Sequence, residues 1–220
     1  MSRCRTWNSA VAVEATSQTD AEVEPPRLVV ISGLSGAGKT TLARALLEDP
    51  RYARALTATT RGPRGGEVDG VDYHFLNAPA FDAGIAEGAF LEWAVVYGDH
   101  RYGTPRKNVE AILGSGRHCV LVIDVQGAAT LREKGVAGLF VFVKAPSLAE
   151  LERRLRNRGE DDDVAIAARL EAARAELAAQ DEFDLVLVND NLDEAARQLA
   201  VRLGTRRSDK PLAGTESEGD

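Results

Sequence analysis

The stretch VVISGLSGAGKTTL, residues 29–42, decides the fold. An apolar run stops at Ser32. A glycine-rich turn follows, then Lys39, Thr40 and Thr41, then helix-forming residues. Gly33-Leu34-Ser35-Gly36-Ala37-Gly38-Lys39-Thr40 fits G-x-x-x-x-G-K-[ST], with a strand before it and a helix after. The glycines let the backbone curl so that successive N–H groups point inward at phosphate oxygens. Lys39 can place its charge on the β- and γ-phosphates, and the Thr40 hydroxyl can ligate Mg²⁺. Residues 33–41 therefore read as a nucleoside triphosphate site with Mg²⁺ as the accompanying cation. An incidental lysine in a glycine-rich turn is the competing reading, and it does not explain strand, loop and helix in register. The motif by itself leaves kinase, GTPase, ATPase motor and transporter subunit open.

Working outward, the rhythm of a doubly covered sheet appears. Short apolar runs at 27–32, 118–124, 138–145 and 183–190 read as buried parallel strands. Between and after them, 39–49, 125–135, 147–159, 164–180 and 191–204 read as helices. Ser147 is an N-cap with Glu150 at the capping-box position. Strands alternating with helices imply a parallel, three-layer α/β fold. Residues 57–105 break the rhythm with Gly, Arg, aromatics and short β-like pieces, and read as an insertion. Residues 1–26 and 205–220 are polar, lack periodicity, and read as a disordered extension and tail.

Composition narrows the class. A chain of 220 residues holds one sizeable core with small inserted parts. Net charge of −7 argues against a broad nucleic-acid or membrane surface. Cys4 and Cys119 form neither a disulfide framework nor a zinc spacing, which points to a reducing cytoplasm. No apolar run approaches the roughly 20 residues of a membrane span.

Residues 57–75, TATTRGPRGGEVDGVDYHF, set Arg61 and Arg64 three apart in a Pro/Gly-rich loop, with Tyr73 following. Two guanidinium forks suit a phosphate monoester, and a solvated basic loop is the alternative. Residues 90–105, FLEWAVVYGDHRYGTP, put Glu92 at the end of an apolar patch. Guanine offers N1–H and N2–H₂ side by side, and one carboxylate can accept from both. Adenine would face it with an unprotonated N1. Thr57 and Thr104 can add hydroxyl donors to O6.

These segments resemble the guanylate kinase family over residues 27–204. The loop resembles "GPSGAGKST", and 57–75 resembles "SxTTRxPRxGExxGxDYxF". LEWAVVYGDHRYGT resembles "EWAxxxGxxYGT", and IDVQGA (123–128) resembles "DIDxQGA". The resemblance implies a P-loop fold with a parallel sheet core (27–56, 106–150 and 175–204), a small mixed GMP-binding insertion (57–105) and a helical lid (151–174). It implies transfer of the ATP γ-phosphoryl to GMP, in a monomer or homodimer. Carried over, Arg61, Arg64, Tyr73 and Tyr102 would hold the GMP phosphate, with Glu67 at the same subsite. Thr57, Glu92 and Thr104 would read guanine. Asp124 would sit near the guanine or the Mg²⁺ shell, and Asn189 would contact adenine, with helix capping as its alternative. Residues 152–177 resemble the lid "RLxxRGTExxxxIxxRLxxAxxEL", whose arginines would be Arg154, Arg158 and Arg169. Simple i,i+4 pairing on exposed helices is the competing reading of those arginines.

The chain departs from the pattern at a few positions. Leu34 stands where the family has proline, Thr40 and Thr57 where it has serine, and Val122 where it has an acid. The run Glu160-Asp161-Asp162-Asp163 replaces a "TE" pair and reads as solvated charge with a helix cap. An inactive binding module of the same fold would be expected to lose the loop lysine or lid arginines, which are present. A GTPase would need N-K-x-D, and NDNLD (189–193) lacks the lysine. His74, His100 and His118 read as surface or structural, since an ionised GMP phosphate needs no general base.

Overall fold

A computed structural model describes residues 27–95, 99–159 and 162–204. The elements are β1 (Leu28–Gly33), α1 (Lys39–Leu47), β2 (Tyr52–Arg54), β3 (Ala58–Thr59), β4 (His74–Phe75), α2 (Ala78–Ala86), β5 (Phe90–Val95) and β6 (Arg101–Pro105). They continue with α3 (Arg106–Gly114), β7 (His118–Val122), α4 (Val125–Glu133), β8 (Leu139–Lys144), α5 (Leu148–Arg158), α6 (Asp163–Leu177), β9 (Leu185–Val188) and α7 (Leu192–Arg202). The terminal segments 1–26 and 205–220, read as extension and tail, lie outside the described residues, as do Glu160 and Asp161.

Five strands form a parallel sheet in the order β2-β7-β1-β8-β9. Its continuous apolar runs follow from burial on both faces. Val29, Ile31 and Val120 feed a core shared with Leu42, Leu46, Leu151, Leu155 and Leu199 of α1, α5 and α7. Leu28, Val30, Cys119 and Leu121 point the other way, onto Val109 of α3 and Leu131 of α4. Alternate side chains of one strand thus fill two layers, as the period of two requires, and the three-layer α/β fold is as expected.

The segment 57–105 forms a second, mixed sheet, β4-β3-β6-β5. Its small core stacks Phe81 on Phe90, with ring centroids 4.5 Å apart. Sequence reading expected only β pieces here. The helix α2 is set by Asn77, whose side chain accepts from Ala80 N–H, with Pro79 in the first turn. Nor were β2 and α3 foreseen. Helix α6 ends at Leu177 rather than 180, because a 3₁₀ turn takes over at Gln180–Glu182.

Capping chemistry is largely as read. Ser147 caps α5 by accepting from Glu150 N–H, but the Glu150 carboxylate pairs with Arg153 and Arg154. Asp162 caps α6. Among the described residues, no helix is long and apolar enough to cross a membrane.

Candidate active site

The loop after β1 is shaped by close approaches. Gly33 has φ 116°, and a Cβ there would lie 2.2 Å from Val143 O. Gly38 caps α1 in the left-handed region at φ 90°, and a Cβ would lie 2.3 Å from Asn189 Nδ2. Only glycine fits at both. Gly38 offers no side-chain cap, so the first N–H groups of α1 are left for an anion. Leu34 and Ala37 are buried and anchor the loop to the core, while Ser35 and Gly36 are partly open. Lys39 Nζ donates to Gly33 O (2.7 Å) and Leu34 O (2.9 Å), folding back over the loop. Burial lowers the Lys39 pKa, and the carboxylates of Glu176 and Asp124 oppose that shift. Thr40 and Thr41 are exposed in the first turn of α1.

Asn189 follows β9 and is 6% exposed. Its Nδ2 donates to Ala37 O at 2.8 Å, bracing the loop from outside. It caps no helix; Asn191 caps α7.

The mixed sheet supplies a second cluster. Arg61, 8% exposed, lies at its centre. Its Nη1 and Nη2 donate to the two Glu67 oxygens at 2.7 and 2.9 Å, and its Nε to Tyr102 Oη at 3.0 Å. The guanidinium sits 5.3 Å from the Tyr73 ring centroid, and Tyr73 meets Tyr102 edge-on. Glu67 also accepts from Arg64 N–H at 2.7 Å, leaving the Arg64 side chain exposed. Arg61 holds the Glu67 carboxyl below its usual range, and Glu67 in turn raises Arg61. Burial raises the Tyr73 phenol.

On β5 and β6, Glu92 and Thr104 are opposite one another. Both are buried, and Thr104 Oγ1 donates to Glu92 Oε1. Burial pushes the Glu92 carboxyl up to about 7 against the pull of the Thr104 bond, and Asp124 raises it further. A Cβ on Gly127 of α4 would lie 2.8 Å from Glu92 Oε2, so the glycine of the IDVQGA stretch makes room for the carboxylate. Thr57, just before β3, is buried nearby in sequence to this sheet. Asp124 caps α4 by accepting from Gly127 N–H at 2.9 Å. Its charge is felt by Lys39, Glu92 and Glu176 alike, so it stands between the two clusters.

The three arginines expected on a lid divide. Arg169 Nη1 donates to Ser35 Oγ at 2.9 Å, reaching the P-loop. Arg154 instead pairs with Glu150 one turn away, at 2.7 Å. The Arg158 side chain lies outside the described residues. One residue that sequence reading passed over joins the site. Glu176, on α6, is the leading counter-charge to Lys39. In the sequence it is the acid of the EL that closes the lid pattern, seven residues after Arg169, and spacing alone gives it no role. The histidines behave as read: His118 is buried, stacked on Tyr52, and its Nδ1 accepts from Arg27 N–H.

A P-loop with its lysine, together with a second sheet that gathers arginine, tyrosine and a buried carboxylate, defines a P-loop kinase of nucleoside monophosphates. The family model described as guanylate kinase matches residues 25–205. Guanylate kinase of Sphingopyxis alaskensis is 48% identical over 182 residues, covering 82% of each chain. That of Thermosynechococcus vestitus is 47% identical over 178 residues, covering 80% of this chain and 93% of its own. The crystal structure of guanylate kinase from Anaplasma phagocytophilum matches with a TM-score of 0.66 at 33% identity, over 81% of this chain and 84% of that one. The chain belongs to the guanylate kinase family.

Proposed function

We propose that the chain catalyses reversible transfer of the ATP γ-phosphoryl to GMP, giving ADP and GDP. The observation that carries the choice of acceptor is Glu92, buried beside Thr104 and walled by Gly127. As a carboxylate it can accept from guanine N1–H and N2–H₂ together, with Thr57 and Thr104 lining the same pocket. Adenine offers no matching donor pair, and a site built for one edge rejects the other by ~10⁴.

The remaining roles follow from charge and reach. Arg61 and Arg64, with Tyr73 and Tyr102, form the phosphate-binding face of the insertion 57–105. Glu67 holds the Arg61 guanidinium in one orientation through both of its oxygens, and so acts through the arginine. The N–H groups of residues 33–41 hold the donor phosphates. Lys39 leaves its two carbonyl partners to meet the transferring phosphoryl. Attack comes from a GMP phosphate oxygen that is already ionised, so alignment and charge compensation do the catalytic work. Arg154, Arg158 and Arg169, on the helices of the lid 151–174, add charge when the lid closes and water is excluded. Arg169 is already at the loop; Arg154 must leave Glu150.

Mg²⁺ fits this donor set. The Thr40 hydroxyl is a hard oxygen ligand, exposed at the mouth of the loop. A cation carried mainly by phosphates needs few protein ligands, and it supplies charge neutralisation on the triphosphate. Asp124 lies close enough to influence Lys39 and can serve the outer shell.

The test is kcat/KM for GMP against AMP with saturating MgATP. A preference for GMP of about 10³ or more is expected. A preference for AMP, or no turnover of either, would refute the assignment.

A further inference from the structure

Glu176, on α6, lies against the P-loop with no part in the transfer described above. Its Oε2 is buried without a hydrogen-bond partner. Its carboxylate takes a hydrogen bond from Ser35 N–H, and it feels the attraction of Lys39. For Lys39, Glu176 is the strongest attraction opposing the cost of burial. Arg169 lies seven residues earlier on α6, two turns away on the same face. Its Nη1 donates to Ser35 Oγ at 2.9 Å. One helix face therefore grips Ser35 twice, by backbone through Glu176 and by side chain through Arg169.

A buried carboxylate with one bare oxygen is a poor structural anchor, because a half-satisfied polar group costs stability. Burial raises the Glu176 pKa accordingly. Yet this carboxylate rests on an N–H of a phosphate-binding loop and against its lysine. Those are the groups a triphosphate seeks. We propose that Glu176 is the resident anion of the P-loop, a positioning residue that compensates Lys39 without nucleotide and that an incoming triphosphate must replace. The proposal rests on the reading of residues 33–41 as the triphosphate site. It makes ATP affinity a competition, in which α6 yields one of its two holds on Ser35 as the phosphates enter.

Calorimetric titration of the full chain tests this. Glu176→Gln keeps shape and an acceptor for Ser35 N–H but removes the competing charge. MgATP is expected to bind about three- to tenfold tighter, with GMP affinity within about twofold of wild type. The melting temperature of the nucleotide-free variant is expected to hold or rise at neutral pH, since burying the Glu176 charge is a net cost there. A purely structural Glu176 would instead weaken MgATP along with stability. Glu176→Asp, which draws the carboxylate back by one methylene, serves if the glutamine variant does not fold, and it too is expected to bind MgATP more tightly. Unchanged or weaker MgATP binding in a folded variant would overturn the resident anion alone. Failure of the wild-type chain to bind MgATP would overturn the triphosphate reading and the resident anion with it.

Discussion

Acidification should cost this protein its hold on GMP before its hold on ATP. Glu92 is 3% exposed, and burial pushes its carboxyl up to about 7. Only the carboxylate can accept from both guanine donors; the protonated acid turns a donor toward one of them. With that pKa, roughly nine in ten molecules carry the carboxylate at about pH 8, and roughly one in ten at about pH 6. KM for GMP should therefore rise about ninefold across that interval, while KM for ATP changes little. The GMP phosphate also titrates, near about pH 6. Glu92→Gln isolates it, because the variant keeps the phosphate titration and loses that of the carboxyl. The assay is initial velocity against GMP at fixed MgATP, for both proteins, at several pH values. Superimposable pH profiles for KM would refute the reasoning.

The same shift has a stability consequence of defined sign. The folded-state pKa is raised above the unfolded one. Between about pH 4.5 and about pH 7 the folded chain therefore keeps a proton that the unfolded chain has released. Stability from this group is present below that window and lost as pH rises through it. The full cost is on the order of 3 kcal/mol above about pH 7. Glu92→Gln should thus melt higher than wild type at about pH 8 and close to it at about pH 4.5, by calorimetry.

Three further substitutions probe other parts of the site. Lys39→Ala removes the cation that meets the transferring phosphoryl, and kcat should fall roughly 10²–10³-fold with the melting curve little changed. Gly127→Ala drives a methyl to 2.8 Å from Glu92 Oε2. It should raise KM for GMP about tenfold and leave KM for ATP alone, as measured by the two substrate titrations. Arg61→Ala strands Glu67 and removes the charge at the centre of the cluster, and KM for GMP should rise about 100-fold; Arg61→Lys should recover little of it, because an ammonium cannot hold both Glu67 oxygens and Tyr102 as the guanidinium does.

Much of the core was readable because its signals are local. Parallel strands buried on both faces write continuous apolar runs, and Ser147, Asp162 and Gly38 mark helix starts by type. The P-loop was readable because its glycines answer backbone constraints, visible now as the contacts of Gly33 with Val143 and Gly38 with Asn189. The mixed sheet was harder. Its strands β3 and β4 have two residues each, too short to show a period, and α2 was hidden although Asn77 and Pro79 were in view. The roles of Gly127 and Glu176 depend on partners far along the chain. Glu67 reads as a member of the Arg61 subsite, and its bidentate bond to Arg61, six residues away, is what the spacing alone does not show. Glu176 matches the acid that closes the lid pattern, but its place against Ser35 shows only in the fold.

The central claim is that Lys39 and the Arg61 cluster serve one transfer between two nucleotides. It is tested most directly by following the terminal phosphate of γ-labelled ATP in the presence of Mg²⁺ and GMP. The account predicts that the label appears in the β-position of GDP, with ADP formed in equal amount and little label released as inorganic phosphate. Label released mainly to water, or accepted by AMP in preference to GMP, would contradict it.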